Sequence, residues 1–207
     1  MKGFFTVEKL VENTIIIEHS KFICYIKNVE DETDAKEFIN SIRKKHSMAT
    51  HNCYAYIADE KGLVQKFSDD GEPQGTAGMP MLDVLKNKRI YKTVAVVTRY
   101  FGGIKLGTGG LTRAYSGSVI ECLDKCKILD MQTAVFLDIS PDYEEYARLL
   151  KYIQNENVCV ISTDFDNFVK VKLAVKKEYL DKFNLSIADA FNGKLKAIQS
   201  GEGYYAF

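Results

Sequence analysis

The chain has 207 residues, of which 46% are apolar and 27% are charged, and these values exclude a disordered, collagen-like or disulfide-framework protein. The 28 basic and 28 acidic side chains give a formal net charge of zero. Any binding to nucleic acid or to an anionic membrane would therefore have to be local, because no global field would draw the whole molecule to such a partner.

The first part of the sequence predicts strands and one helix. Short β-branched or aromatic runs at 14–18 and 22–26 predict two strands. Apolar residues at helical spacing, preceded by acidic and followed by basic residues, predict a helix over 31–45 whose charges match its dipole. Residues 51–57 then predict a strand, with a turn at Lys61-Gly62 and a hairpin partner at 63–67.

A long loop and a buried strand follow. Residues 68–80 contain too many glycines and prolines for a helix or strand, and a short helix is predicted at 81–88. Loops of this length in compact domains usually serve a function. The apolar run at 93–97 is typical of a strand that is covered on both faces. A glycine-rich segment, 99–110, leads into a helix with one apolar face, for which Thr108 is the predicted N-cap.

Beyond Asp130 the pattern predicts a second unit. The order of its elements, βαββαβ, is that of a ferredoxin-like fold. The sequence therefore predicts an α+β protein with two domains, 1–130 and 131–207. Strands are predicted at 135–139, 158–161, 169–175 and 195–198, with a turn at 164–167. One helix is predicted to start near Pro141, and a second helix is predicted over 178–190.

The charge distribution is most uneven around the glycine-rich segment. Between Asp83 and Glu121 there is no acidic residue, yet there are seven basic ones. Glycines let the backbone approach a ligand, and free amides at a helix start favour an anion. This combination predicts a site for the phosphate of a nucleotide or an RNA backbone. The predicted site residues are Arg99, Gly102, Gly103, Lys105, Gly107, Thr108, Gly109, Gly110 and Arg113.

Two alternatives accompany this interpretation. The glycine-rich segment could be a tight packing turn beside a solvated basic face, and its spacing matches neither a Walker loop nor a Rossmann fingerprint. The acidic residues Asp69, Asp70 and Glu72 could hold a divalent cation that bridges to phosphate, or the aspartates could bond their own backbone in a turn.

Other chemistry is not indicated by the sequence. His46, His51 and Cys53 could be proposed as a zinc site, but no fourth ligand lies at a suitable spacing. The five cysteines are an odd number without a C-x-x-C pair, which favours reduced thiols. The first eleven residues lack a secretion signal and no apolar stretch reaches membrane-spanning length, so we expect a cytoplasmic protein without a membrane partner. We assign no catalytic residue and expect no cofactor.

Three segments carry a resemblance to a known family. Residues 49–56, 69–78 and 96–115 resemble, in order, the signature segments of the Impact N-terminal domain family. The remainder resembles the small C-terminal domain of bacterial YigZ-type members. The resemblance implies a first domain with the fold shared by elongation factor G domain IV and the GHMP sugar kinases. It also implies a second domain like the ferredoxin-like domains of elongation factor G.

The resemblance also implies a function. In eukaryotic Impact the related domain belongs to a regulator of translation that works through protein partners, and an association with nucleic acid or ribosomes has been suggested for the bacterial relatives. We therefore predict a non-catalytic, translation-associated protein that binds RNA or the ribosome through the basic glycine-rich loop. A magnesium-dependent enzyme that uses a nucleotide or phosphate ester is the alternative, and a protein-binding adaptor is a further one. The sequence does not determine the oligomeric state.

Overall fold

The computed structural model describes residues 3–165 and 169–207. Contacts divide the chain into two compact units, Phe4–Leu129 and Asp130–Phe207, with Gly3 grouped with the second. Each unit has its own buried apolar residues. That the units are independent domains with boundaries at 1–130 and 131–207 stays a prediction. The α+β class itself is confirmed by the mixture of helices and antiparallel strands in both units.

The first unit is built on an antiparallel sheet in the order β2-β3-β6-β4-β5. Strand β6 lies at the centre of this sheet, and the segment that follows it leads directly into α3. The elements in chain order are β1 (Phe4–Val7), β2 (Val11–Ile17), β3 (Ser20–Asn28), α1 (Glu32–Lys45), β4 (His51–Ile57), β5 (Gln65–Ser68), α2 (Gly78–Asn87), β6 (Thr93–Tyr100) and α3 (Gly107–Leu123).

Helices cover both faces of this sheet. On one face α2 and α3 pack through residues such as Leu85 and Tyr115, and on the other α1 packs through Ala35, Ile39 and Ile42. Because side chains alternate between the two faces of a strand, β6 needs apolar residues at successive positions. This double coverage explains its continuous apolar run and confirms the interpretation drawn from residues 93–97.

Two predicted helix starts are corrected by the structure. Helix α2 begins at Gly78 rather than near Met81, because the carboxylate of Asp69 accepts hydrogen bonds from the Ala77 and Gly78 amides and so stabilises an earlier first turn. Thr108 is not the N-cap of α3. The helix already begins at Gly107, with Leu106 at the capping position and no side-chain cap.

The second unit has the predicted ferredoxin-like topology. Its strands form an antiparallel sheet in the order β10-β7-β9-β8, with β7 at its centre beside β9. The elements are β7 (Ile128–Ile139), α4 (Tyr143–Tyr152), β8 (Val158–Phe165), β9 (Val169–Lys176), α5 (Leu180–Ala190) and β10 (Ala197–Ala206). Asp142 caps α4 in a capping box with Glu145, as the helix signal near Pro141 indicates.

The turn predicted at 164–167 lies partly outside the described residues. Strand β8 continues through Phe165, and residues 166–168 lie outside the described residues. None of the described helices combines the length and the hydropathy that crossing a bilayer requires.

Candidate functional site

The glycine-rich segment joins the end of β6 to the start of α3 and is held against neighbouring backbone. The Gly102 amide donates to the Ser20 hydroxyl at 3.1 Å, and the Phe101 amide donates to the Thr50 hydroxyl at 3.1 Å. A Cβ on Gly102 would lie only 2.0 Å from the carbonyl carbon of His19, so no larger residue fits there without a backbone shift. The path of the segment therefore depends on glycine at position 102.

Backbone conformation explains two further glycines. Gly103 and Gly107 have φ values of +91° and +69°, in the left-handed region that glycine adopts without a steric penalty. Gly109 and Gly110 lie in the first turn of α3. Leu106 at the capping position has no side-chain acceptor, and among the described residues no hydrogen bond joins an amide of residues 107–110 to a side chain.

Two of the predicted cations lie in the open beside this helix start. Lys105 and Arg113 are both exposed, and neither belongs to an ion pair within the described ranges. The guanidinium Nη1 of Arg113 lies 3.7 Å from the position that a Cβ on Gly109 would occupy. The structure thus brings Lys105, Arg113 and the predicted glycines together at one end of α3.

Arg99, which the sequence analysis placed among the phosphate-binding cations, is buried. It is 5% exposed, its Nη1 donates to the Glu72 carboxylate at 2.7 Å, and its Nη2 donates to the Ser20 hydroxyl at 3.3 Å. The rings of Phe22 and Phe101 lie 5.3 and 5.4 Å from its guanidinium. Arg99 is therefore not a free surface cation, and we reassign it as the residue that positions Glu72.

Glu72 is the centre of a buried polar cluster. Besides Arg99, the Tyr115 hydroxyl donates to Oε1 of Glu72 at 2.8 Å. Burial raises the pKa of Tyr115, which keeps the phenol protonated as a donor. The second carboxylate oxygen, Oε2, lies 3.8 Å from Nε2 of His51, whose Nδ1 donates to the Asp70 carbonyl at 2.8 Å. Glu72 thus has one oxygen bonded by two donors and one oxygen facing an imidazole.

The two aspartates of the loop hold protein groups. Asp69 accepts hydrogen bonds from the amides of Gly75, Ala77 and Gly78 at 2.8 to 3.0 Å. Asp70 accepts from Arg43 and from the Asn52 amide, each at 2.7 Å. Within the described residues Asp69, Asp70 and Glu72 do not form a ligand group for a metal. The contacts of Asp69 favour the turn interpretation of the loop, whereas Asp70 binds the side chain of Arg43 and an amide of β4.

Replacing Asp69 with alanine is expected to destabilise the first unit by about 2 kcal/mol, the upper end of the effect of losing a helix cap. The carboxylate accepts hydrogen bonds from two amides at the start of α2 and from the Gly75 amide in the loop before it, and alanine cannot replace these bonds. Urea unfolding measures the change. Asp69→Asn keeps one acceptor oxygen and should lose less stability than Asp69→Ala. Equal stability of Asp69→Ala and the unmodified protein would contradict the capping role.

The three residues considered for zinc are also engaged elsewhere. His46 lies between the hydroxyls of Tyr25 and Tyr100, at 2.7 and 2.9 Å from its two ring nitrogens. The Cys53 thiol donates to the Asp69 carbonyl, and burial raises its pKa and keeps it protonated. No cluster of metal-ligating side chains includes them in the described part of the chain.

A cavity of about 460 Å³ lies beside the glycine-rich segment, and we call it the loop cavity. It joins the free cation Lys105 and the start of α3 to the buried cluster around Glu72. Its lining residues are Thr50, His51, Glu72, Pro73, Arg99, Phe101, Lys105, Leu106, Gly107, Thr108 and Leu111.

Comparison with known proteins shows the family. Residues 18–123 match the model of the Impact N-terminal domain, a range that contains every residue of the loop cavity. The Bacillus subtilis protein named IMPACT family member YvyE is 40% identical over 205 residues, which cover 99% of this chain and 94% of the relative. The chain belongs to the IMPACT family. The family resemblance that the sequence carries is thereby confirmed.

Further relatives of this IMPACT-family protein cover both units. The Escherichia coli protein named IMPACT family member YigZ is 33% identical over 184 residues, with 88% of this chain and 90% of the relative covered. A solved structure described as a hypothetical protein is 31% identical, covers 96% of this chain and 97% of its own, and superposes with a TM-score of 0.62. The similarity thus extends through the ferredoxin-like unit.

Sequence reasoning missed the buried cluster in this IMPACT-family chain. It grouped Arg99 with the surface cations and Glu72 with the loop carboxylates, and it did not pair the two or include His51 and Tyr115. One signal was present, because Arg99 lies within β6, two residues after its apolar run, and a charge there needs a buried partner. The identity of that partner, 27 residues away, is not readable from local spacing.

Proposed function

We propose that this IMPACT-family protein is a non-catalytic, translation-associated protein of the cytoplasm that binds RNA, including RNA of the ribosome, through its phosphates. The proposed contacts are the side chains of Lys105 and Arg113 and the first amides of α3. The observation that carries the proposal is the position of two exposed cations, without ion-pair partners in the described ranges, beside a helix start that has no side-chain cap. RNA phosphates are the ligand class that such an arrangement suits.

The charge of the molecule supports a local contact. Because the formal net charge is zero, long-range attraction to RNA is weak and affinity depends on the few cations that touch phosphates. Amides and the positive end of the dipole of α3 add to these cations. Gly102, Gly103 and Gly107 shape the segment, and Gly109 and Gly110 leave the first turn of the helix open to a phosphate oxygen.

The contacts of the loop carboxylates do not favour a magnesium-dependent enzyme. Such an activity would need Asp69, Asp70 or Glu72 as metal ligands, and each of these carboxylates accepts hydrogen bonds from protein groups instead. A protein-binding adaptor, the further alternative, predicts no steep dependence of RNA binding on salt, so the salt experiment separates it from RNA binding. We therefore retain the RNA-binding function and test it through its dependence on salt.

Replacing both Lys105 and Arg113 with alanine is expected to reduce the salt dependence of RNA binding. Each phosphate contact contributes about 0.7 to the slope of log K against log salt for single strands, so the double variant should lose about 1.4. Titration of a fluorescent single-stranded RNA with the full chain at several salt concentrations measures the slope.

The matched control is Lys36→Ala on α1, whose lysine is exposed and lies on the helix that covers the other face of the sheet. This variant should keep the slope of the unmodified protein. An unchanged slope in the double variant would reject the assigned contacts. Weak binding that does not depend on salt would reject the function, and capture from a lysate that survives nuclease treatment would favour the adaptor.

A further inference from the structure

The loop cavity has the size and lining of a small-ligand pocket. Its volume of about 460 Å³ lies within the usual range of roughly 300 to 1,000 Å³ for such sites. Leu106, Leu111 and Pro73 provide apolar wall, and the ring of Phe101 is 46% exposed. A flat, partly apolar group would therefore fit between these side chains, and an aromatic ring such as that of Phe101 is a surface on which a base can stack.

The buried polar groups of the cavity present two acceptors. Oε1 of Glu72 already receives two hydrogen bonds, whereas Oε2 lies 3.8 Å from Nε2 of His51, beyond hydrogen-bonding distance, and accepts no hydrogen bond found among the described residues. Because Nδ1 of His51 donates to a carbonyl, Nε2 is an acceptor whenever the ring carries a single proton. These two acceptors suit a ligand that presents hydrogen-bond donors side by side.

One donor is also left without a partner. Arg99 lines the cavity, and its Nε is buried without a hydrogen-bond partner among the described residues. Because this Nε is closed to solvent, it does not face the open cavity, and the groups that can meet a ligand there are the two acceptors of Glu72 and His51. The complementary ligand edge carries two donors side by side.

At its other end the cavity reaches the proposed phosphate contacts. Lys105, Gly107 and Thr108 line it there, at the start of α3. A ligand that spans the cavity would therefore have hydrogen-bonding groups at one end, a flat body in the middle and a phosphate at the other end. A nucleotide has this arrangement.

We propose that the loop cavity holds one unpaired guanine nucleotide of the bound RNA, an inference that rests on the proposed function. Guanine carries N1–H beside an exocyclic amino group, and these two adjacent donors match the acceptors of Glu72 and His51. Uracil has a single N–H between two carbonyls and would place an acceptor against the carboxylate. Single-stranded RNA is commonly read in this way, by stacking and by hydrogen bonds to the base edge.

The test compares four short RNAs that differ at one position. Each is an oligouridine of about eight residues with a central guanosine, adenosine, cytidine or uridine, and anisotropy titration with the full chain at fixed salt and pH 8 measures the affinity. A site built to hydrogen-bond a ligand rejects an analogue that leaves its groups unpaired, so guanosine should bind at least about tenfold more tightly than uridine.

Two variants separate the base from the phosphate. His51→Leu removes one acceptor while leaving the pair of Glu72 and Arg99 in place, and it should reduce the preference for guanosine severalfold with an unchanged salt slope. Lys105→Ala should weaken binding to all four RNAs by the same factor and preserve the preference. The comparison of the four RNAs with the unmodified protein decides the proposal even if His51→Leu fails to fold.

The outcomes also distinguish this inference from the proposed function. Equal affinity for the four RNAs, with a steep salt slope, would overturn the guanine site and leave phosphate binding intact. Binding that prefers uridine or adenosine would overturn it equally. Absence of salt-dependent binding to any of the RNAs would reject the proposed function and the guanine site with it.

Discussion

Replacing Glu72 with alanine is expected to lower the free energy of unfolding of the first unit by about 3 to 5 kcal/mol, the usual cost of removing one partner of a buried ion pair. The substitution leaves the guanidinium of Arg99 buried without its carboxylate and removes the acceptor of the Tyr115 hydroxyl. Both side chains of the ion pair are almost inaccessible to water, with exposures of 6% and 3%. Urea unfolding followed by circular dichroism measures the loss.

Two control variants test whether the loss of stability in Glu72→Ala results from the burial of the ion pair. Glu72→Leu combined with Arg99→Met removes both charges and should recover much of the stability, because apolar residues of similar volume commonly replace a buried pair without loss. Lys127→Ala breaks the exposed ion pair with Glu8 and should leave stability unchanged within error. A loss for Glu72→Ala no larger than that for Lys127→Ala would show that the buried pair is not a stabilising contact.

Replacing Gly102 with alanine is expected to destabilise the first unit by about 3 kcal/mol, the upper end of the range for overpacking. The added Cβ would lie 2.0 to 2.4 Å from backbone atoms of His19 and Ser20, which cannot move away as a flexible side chain could. The segment that carries Lys105 would have to shift, so RNA affinity should fall as well.

A second glycine provides the matched control. Gly117 lies inside α3, and a Cβ there would meet no heavy atom within 4 Å. Gly117→Ala should therefore stabilise the protein by about 0.5 to 1 kcal/mol, since alanine is the better helix former. Thermal unfolding of both variants gives the comparison, and equal melting temperatures for Gly102→Ala and Gly117→Ala would refute the steric argument.

Local pattern was sufficient for most elements of the fold. The order of four strands and two helices in the second unit follows from alternation and helical spacing, although the strands predicted at 158–161 and 195–198 run over Val158–Phe165 and Ala197–Ala206. The start of α2 was predicted wrongly because a distant group decides it. The start of α2 depends on the carboxylate of Asp69, nine residues before Gly78, and nothing in the spacing of residues 81–88 reveals that contact.

The candidate site was only partly predictable for the same reason. The cluster of glycines and the exposed Lys105 and Arg113 follow from composition, since glycine and charge are visible in the sequence. Whether a charged side chain is free or neutralised depends on ion pairs between residues far apart in the sequence. Arg99 forms such a pair with Glu72 and is therefore not a free cation at the surface. The loop cavity needs the ends of two strands, a loop and a helix to meet, and only the three-dimensional fold brings them together.

The pairing of Arg99 with Glu72 affects how sequence variation among homologues should be interpreted. Both residues stabilise the packed interior, so selection for a folded chain would preserve them even in a homologue that had lost every ligand. Invariance at these two positions therefore says little about binding. Lys105 and Arg113 have no ion pair in the described ranges, so retention of a positive charge at those positions across distant species would be evidence of a shared anionic partner.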